Sequence, residues 1–207
     1  MRDRDLVRLY WPAQLRPAFD ALFAIDDAMA EVVASSTQPA LGAIRLAWWR
    51  EALERLDKAP PPPEPRLQAA AAELLTRGIA GATIARIEDG WAALLDGNLD
   101  FERIGQRGVQ LFETGARLLG ASDDRFEAAG RLFSCQDATR RGLAPFHDPA
   151  DEIRLLAGHR FPRRLRPLTG LARLAARDVK QAPEIEPEAT PGRAAALLSH
   201  RLFGTVA

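Results

Sequence analysis

The chain is poor in the residues that mark most specialised chemistries. Cysteine occurs once, as Cys135, which excludes an internal disulfide and any cysteine cage for a metal and fits a reducing compartment. The three histidines, His147, His159 and His200, are dispersed without H-x-x-x-H or H-E-x-x-H spacing, so zinc catalysis has no ligand set. No phosphate-cradling glycine loop and no G-x-S-x-G occurs, which leaves nucleotide binding and serine hydrolysis without support. Charge of one sign is not in excess: 28 basic and 28 acidic residues cancel, so there is no overall pull toward nucleic acid. No apolar run approaches the roughly 18 residues that span a bilayer. The start, Met1-Arg2-Asp3-Arg4-Asp5, is too charged for a secretory leader. The expectation is a cytoplasmic protein, at most peripheral to the inner membrane.

β-branched residues are also scarce, with 6 Val, 8 Ile and 8 Thr against 38 Ala and 28 Leu. That balance favours residues that lose little entropy in helices and predicts an all-α protein. A length of 207 residues fits one domain over 1–207, with a proline-rich connector at 59–65 and a C-terminal tail at 180–207. Apolar spacing predicts a core helix from Gln14 to Val33 and a second from Pro39 to about Leu56. In the second, Leu46, Trp49, Leu53 and Leu56 form one stripe and Leu41, Ile44, Trp48 and Ala52 a neighbouring one, a width that implies burial between other helices. Arg50 with Glu54 and Glu51 with Arg55 are expected to pair along its outer face. Further helices are expected over Arg66–Arg77, around Ile84–Leu94, over Phe101–Leu119, from an N-cap at Ser122 to about Arg141, and over Ala150–Ala157, Pro167–Val179 and Pro191–Phe203.

The first long helix carries the most unusual local feature. At 100° per residue, Asp26 lies within about 40° of Phe19, Leu22, Met29 and Val33, on the face that should be buried. A carboxylate there must be paired, protonated or bound to a metal. Asp20, Asp27 and Glu31 form a second stripe, and carboxylates four apart have Cβ atoms about 5–6 Å from each other. Mg²⁺ suits such a geometry, because it takes one or two carboxylates and keeps its other positions for water and phosphate. The simpler alternative is that Asp20, Asp27 and Glu31 face water while Asp26 pairs with an arginine from another helix.

Two stretches carry a resemblance. Leu15-Arg16-Pro17-Ala18-Phe19-Asp20-Ala21-Leu22-Phe23-Ala24 runs into Asp26-Asp27, and Ile44-Arg45-Leu46-Ala47-Trp48-Trp49-Arg50-Glu51 follows. Together they resemble the squalene/phytoene synthase family, strongly over residues 3–57 and more weakly as far as about Gly142. The resemblance implies an isoprenoid synthase-type helical bundle around a central apolar cavity. In active members, two aspartate-rich motifs on facing helices hold Mg²⁺ and a prenyl diphosphate, whose ionisation starts the joining of two prenyl chains. It therefore implies Asp26, Asp27 and Glu31 as magnesium ligands, Arg45 and Arg140 as diphosphate contacts, Asp137 as a substrate-site residue, and Trp48, Trp49 and Phe133 as cavity lining.

The sequence departs from the family pattern at both motifs. The first reads Asp27-Ala28-Met29-Ala30-Glu31, with glutamate in place of the last aspartate. In the second, Gly130-Arg131-Leu132-Phe133-Ser134-Cys135-Gln136-Asp137-Ala138-Thr139-Arg140-Arg141, Arg140 falls on the family's arginine and Asp137 on its asparagine. Arg141 stands where the first aspartate belongs, and Pro145 stands at the second. Arginine offers only donors and stays protonated, so it cannot ligate Mg²⁺. Two readings follow. One is a family protein without standard head-to-head synthase activity, acting as a prenyl-diphosphate or lipid binder, or as an assembly factor with a protein partner, as in the respiratory-complex assembly factor that shares this fold. The other is an active prenyltransferase of isoprenoid biosynthesis.

One segment is charge-segregated. Between Arg154 and Arg177 lie seven arginines, His159 and no acidic residue. It is expected either to receive an anionic partner or to be a solvated face balanced by Asp178, Glu184, Glu186 and Glu188. Leu165, Leu168, Leu171 and Leu174 lie among these arginines and offer an apolar side for peripheral membrane contact. Cys135 is read as a small core residue.

Overall fold

The computed structural model describes residues 2–207. Among these residues the regular structure is helical, and β pairing is limited to an isolated bridge between Arg160 and Thr205. The chain is therefore all-α, as its composition predicts.

Proline and short polar residues set most of the helix starts. Pro17 opens α2 (Arg16–Ser35), Pro39 opens α3 (Pro39–Arg55), and Pro65 opens α4 (Pro65–Glu73), each within the first two positions. There the missing N–H costs nothing, because no intrahelical acceptor awaits it. The proline-rich connector thus ends one residue earlier than expected. Asp100 caps α7 (Phe101–Leu119) by accepting from the N–H groups of Glu102 and Arg103, at 3.0 and 3.2 Å. Gly120, at φ 62°, terminates that helix in the left-handed conformation.

The remaining helices are α1 (Asp3–Arg8), α5 (Gly81–Ala85), α6 (Ile87–Ala92), α8 (Phe126–Arg140), α9 (Ala150–Leu156), α10 (Arg166–Gln181) and α11 (Pro191–Phe203). α8 begins later than the Ser122 cap predicts, because Asp123 spends its side chain on the N–H of Arg125 in a turn before the helix. A main apolar core runs through the molecule, from Val7 on α1 to Val206 beyond α11, with Phe19, Leu22 and Met29 of α2 fully buried within it.

Helix α3 differs from expectation. Leu46, Trp49 and Leu53 are buried, but Leu41, Ile44 and Trp48 are exposed, Ile44 by 65%. No described helix covers these three, whereas Ala52 of the same stripe packs against the core. Arg50 turns to Glu88 at 3.4 Å instead of pairing with Glu54.

The α7–α8 crossing positions the site described next. A Cβ on Gly108 would lie 1.9 Å from the carbonyl oxygen of Gly130, and one on Gly130 would lie 2.7 Å from the backbone of Gly108. The two backbones touch, so side chains just along each helix reach across the seam. Replacing Gly108 by alanine should force the helices apart and lower unfolding stability by about 3 kcal/mol. Urea unfolding of Gly108→Ala checks this; a midpoint equal to wild type would refute the close crossing.

Candidate functional site

At the centre of the bundle the carboxylate of Asp26 is fully buried, as its position on the apolar face of α2 predicts. One of its oxygens accepts from the indole N–H of Trp91 on α6 at 2.9 Å and from Arg107 on α7 at 3.3 Å. The other, Oδ2, has no hydrogen-bond partner and lies 3.9 Å from Arg4. Burial pushes the Asp26 carboxyl upward, and the neighbouring guanidiniums only partly offset this.

Arg107 is the hub. It is 1% exposed, donates from Nε to the Ser134 hydroxyl at 2.8 Å, and reaches the Ser134 carbonyl and Asp137 at 3.2 and 2.8 Å. Its guanidinium lies 3.9 Å over the Trp91 ring, whose face attracts a cation. Arg141, just past the end of α8, then joins the two helices that carry the aspartates. It donates to Asp27 at 2.9 Å and to Asp137 at 3.0 and 3.1 Å. Arg4 closes the arrangement from α1 with a 2.6 Å bond to Asp27. Burial raises the Asp137 carboxyl, but Arg107, Arg141 and Arg4 together outweigh it and hold it at about 2.

Three carboxyl groups therefore meet three guanidiniums, whose formal charges balance. This donor set does not suit Mg²⁺, which needs uncommitted oxygens and an excess of negative charge. A divalent ion would first have to expel Arg141 from between Asp27 and Asp137. Glu31, the third expected ligand, instead pairs with Arg66 of α4 at 2.9 Å. A separate group, Asp123, Asp124 and His159, brings its ligand atoms within 4.8 Å of one another, but here His159 simply bonds Asp123 at 2.9 Å.

Beside the ion-pair cluster opens a cavity of about 560 Å³. Its wall includes Asp27, Glu31, Phe133, Asp137, Arg140 and Arg141, with Leu171, Leu174 and Ala175 on its apolar side. Asp3, Asp178 and Glu188 also line it, so the cleft joins an apolar side to a charged one. Arg140 is engaged as well: it makes two bonds to Asp178, at 2.6 and 3.1 Å, and one to the Glu186 carbonyl at 2.9 Å. Buried Arg193 bonds both Asp3 and Asp178, extending this second network to the N-terminus.

The other expected substrate contacts lie elsewhere. Arg45 is exposed and donates to the Ser35 hydroxyl at 3.2 Å, Trp48 is exposed, and Trp49 is buried in the core. None of the three lines the cavity. Within the arginine-rich segment, Leu165, Leu168, Leu171 and Leu174 are buried and cannot form a membrane-facing side. Cys135 is buried, which pushes its thiol up to about 11 and keeps it from acting as a nucleophile at neutral pH. Sequence reasoning missed Arg107, Arg4 and the indole of Trp91 as functional partners. Arg107 had a signal: it sits three residues after Ile104 and four before Leu111, on the buried stripe of α7.

Comparison with protein-family models, with curated proteins and with solved structures finds no match for this chain.

Two outcomes test the cluster. Arg107→Met leaves Asp26 and Asp137 without their principal partner and should cost about 4 kcal/mol of unfolding stability. The pH dependence has a definite sign. Asp137 binds its proton less readily in the fold than in the unfolded chain, so it adds stability above about pH 4 that is lost as the pH falls toward 2. Asp26 acts oppositely, because acidification relieves the cost of burying its charge. Urea unfolding between pH 5 and pH 2 should therefore show a shallower acid loss in Asp137→Asn than in wild type. Equal slopes would remove Asp137 from the account.

Proposed function

We propose that this protein is a non-catalytic binding or assembly factor built on an isoprenoid synthase-type bundle, related to the squalene/phytoene synthases by its motifs. One observation carries the reading: Arg141 occupies the space between Asp27 and Asp137, where a synthase of this kind would use a metal between opposed carboxylates. Arg141 turns its Nε and Nη2 donors to Asp137 and Asp27, so its charge is already balanced by the protein's own carboxylates. Arg140, the other residue aligned with a diphosphate contact, is committed to Asp178 and the Glu186 carbonyl.

The exposed stripe of Leu41, Ile44 and Trp48 on α3 supports a protein-contact role, since an apolar helix face without an internal partner is characteristic of interaction surfaces. A second reading keeps the prenyl diphosphate as a passive ligand. The apolar side of the cleft, Phe133, Leu143, Leu171, Leu174 and Ala175, favours it, and the volume of about 560 Å³ lies within the range of ligand pockets. Active prenyl transfer with Mg²⁺ is the reading least supported, because ionising a diphosphate demands divalent cations, held by carboxylates on facing helices, to neutralise the leaving group.

The deciding experiment incubates the protein with farnesyl or geranylgeranyl diphosphate and Mg²⁺. The expected result is no pyrophosphate release and a melting temperature that Mg²⁺ alone does not raise. Arg141→Asp, which returns a carboxylate to the position facing Asp27, should instead become Mg²⁺-stabilised. Pyrophosphate release that disappears in Asp27→Ala would overturn the non-catalytic reading. Mg²⁺-independent binding of the diphosphate without turnover would favour the passive-ligand reading.

A further inference from the structure

Arginines elsewhere in the molecule repeatedly find a carboxylate: Arg103 takes Asp89 and Asp96, Arg131 takes Glu102 and Glu127, and Arg177 takes Glu186. At one end of the bundle several arginines without such a partner are gathered together. Arg160, Arg163, Arg164, Arg166 and Arg201 have no side-chain carboxylate within 4.0 Å among the described residues. Arg166 spends its donors on backbone carbonyls, reaching Phe161 at 2.9 Å and Arg201 and Leu202 at the end of α11 at 2.9 and 2.8 Å. Its guanidinium is pushed below its ordinary value by burial and by Arg163 and Arg160, which marks a local excess of positive charge. The chain as a whole is neutral, so this concentration is a matter of placement.

The same end carries exposed apolar side chains. Leu198 and Leu202 lie one turn apart on α11 and are exposed by 52% and 61%, Phe203 follows at 56%, and Leu9, just past α1, is exposed by 64%. The two sets are physically joined. Arg201 lies 4.8 Å over the ring of Tyr10, next to Leu9, and Arg160 bridges to Thr205 just past Phe203. A recess of about 450 Å³ between α1, α10 and α11 is bordered by Tyr10, Arg163, Arg166, Arg201 and Leu202.

We propose that this end of the protein docks on the surface of an anionic phospholipid bilayer, with Leu198, Leu202 and Phe203 entering the headgroup boundary and Arg160, Arg163, Arg164 and Arg201 meeting the lipid phosphates. The combination selects a membrane. Arginines alone would receive any soluble anion, and leucines alone any apolar partner. Apolar prongs beside unpaired guanidiniums match a boundary where acyl chains begin beneath phosphate. No described helix is long and apolar enough to cross a membrane, so the contact is a lateral one. It assigns the membrane role to different apolar residues from the buried leucines at 165, 168, 171 and 174, and it is independent of what the central ion pairs do.

Flotation with vesicles of phosphatidylcholine alone, and of equal parts phosphatidylcholine and phosphatidylglycerol, tests this on the full chain. The protein should float with the anionic vesicles, remain behind with the neutral ones, and detach as NaCl is raised. Combined Arg160→Glu, Arg163→Glu and Arg164→Glu should lower the partition by more than about tenfold with an unchanged melting temperature. All three side chains are exposed, so the fold does not depend on them. Leu202→Ser with Phe203→Ser should lower it independently, which keeps a decision available if the triple variant fails to fold. Equal flotation with both vesicles, flotation with neither, or no effect of either variant would overturn the proposal. Failure with vesicles together with binding to an acidic protein would assign the patch to a protein partner instead.

Discussion

The fold is organised around a charge that has nowhere else to go. Asp26 lies on the same face of α2 as Phe19, Leu22 and Met29, so folding the apolar face inward buries the carboxylate with it. An isolated charge in such a place costs several kcal/mol, which requires partners from other helices. Trp91 supplies a neutral donor and Arg107 a cation. A buried arginine creates the same demand again, and Ser134 and Asp137 on α8 meet it. Asp137 then shares Arg141 with Asp27, which brings the chain of pairings back to α2. Each step follows from the one before, and together they tie α2, α6, α7 and α8 into one register.

Close backbone approach makes this register attainable. Gly108 on α7 and Gly130 on α8 let the helices touch, and Arg107 and Ser134 stand one residue before and four residues after those contacts. Larger residues at the crossing would move the guanidinium away from the hydroxyl it reaches at 2.8 Å. The polar centre is thus a consequence of packing as much as of charge. Breaking one of its partners is expensive even though the complete set adds little net stability over a well-packed apolar core.

How far the sequence could be read depended on whether a feature was local. The all-α class followed from composition, and the inward position of Asp26 followed from helical period, because both are properties of contiguous residues. The partner of Asp26 was not local: Arg107 lies 81 positions away, and sequence distance alone gives no reason to join them. What could be read was that Arg107 sits on an apolar stripe and needs a counter-charge. The reverse error occurred on α3. Periodicity correctly grouped Leu41, Ile44 and Trp48 on one face but could not say whether another helix would cover it, and no described helix does. The same limit applies to the arginine-rich segment, where leucines between arginines suggested an amphipathic surface and the structure turned them into the core.

Opposed carboxylates on facing helices can be reconciled by a divalent cation or by a guanidinium, and the two solutions have different consequences. A cation is exchangeable, leaves coordination positions for phosphate oxygens, and lets the site open when it departs. A guanidinium is covalently tethered, remains charged at every physiological pH, and turns its donors toward the protein's own oxygens. Arg141 between Asp27 and Asp137 is the second solution. It forms a cross-brace between α2 and the end of α8. A bundle braced in this way holds its centre by charge pairs, while its outside presents the uncovered Leu41, Ile44 and Trp48 of α3 at one place and unpaired arginines near exposed leucines at another.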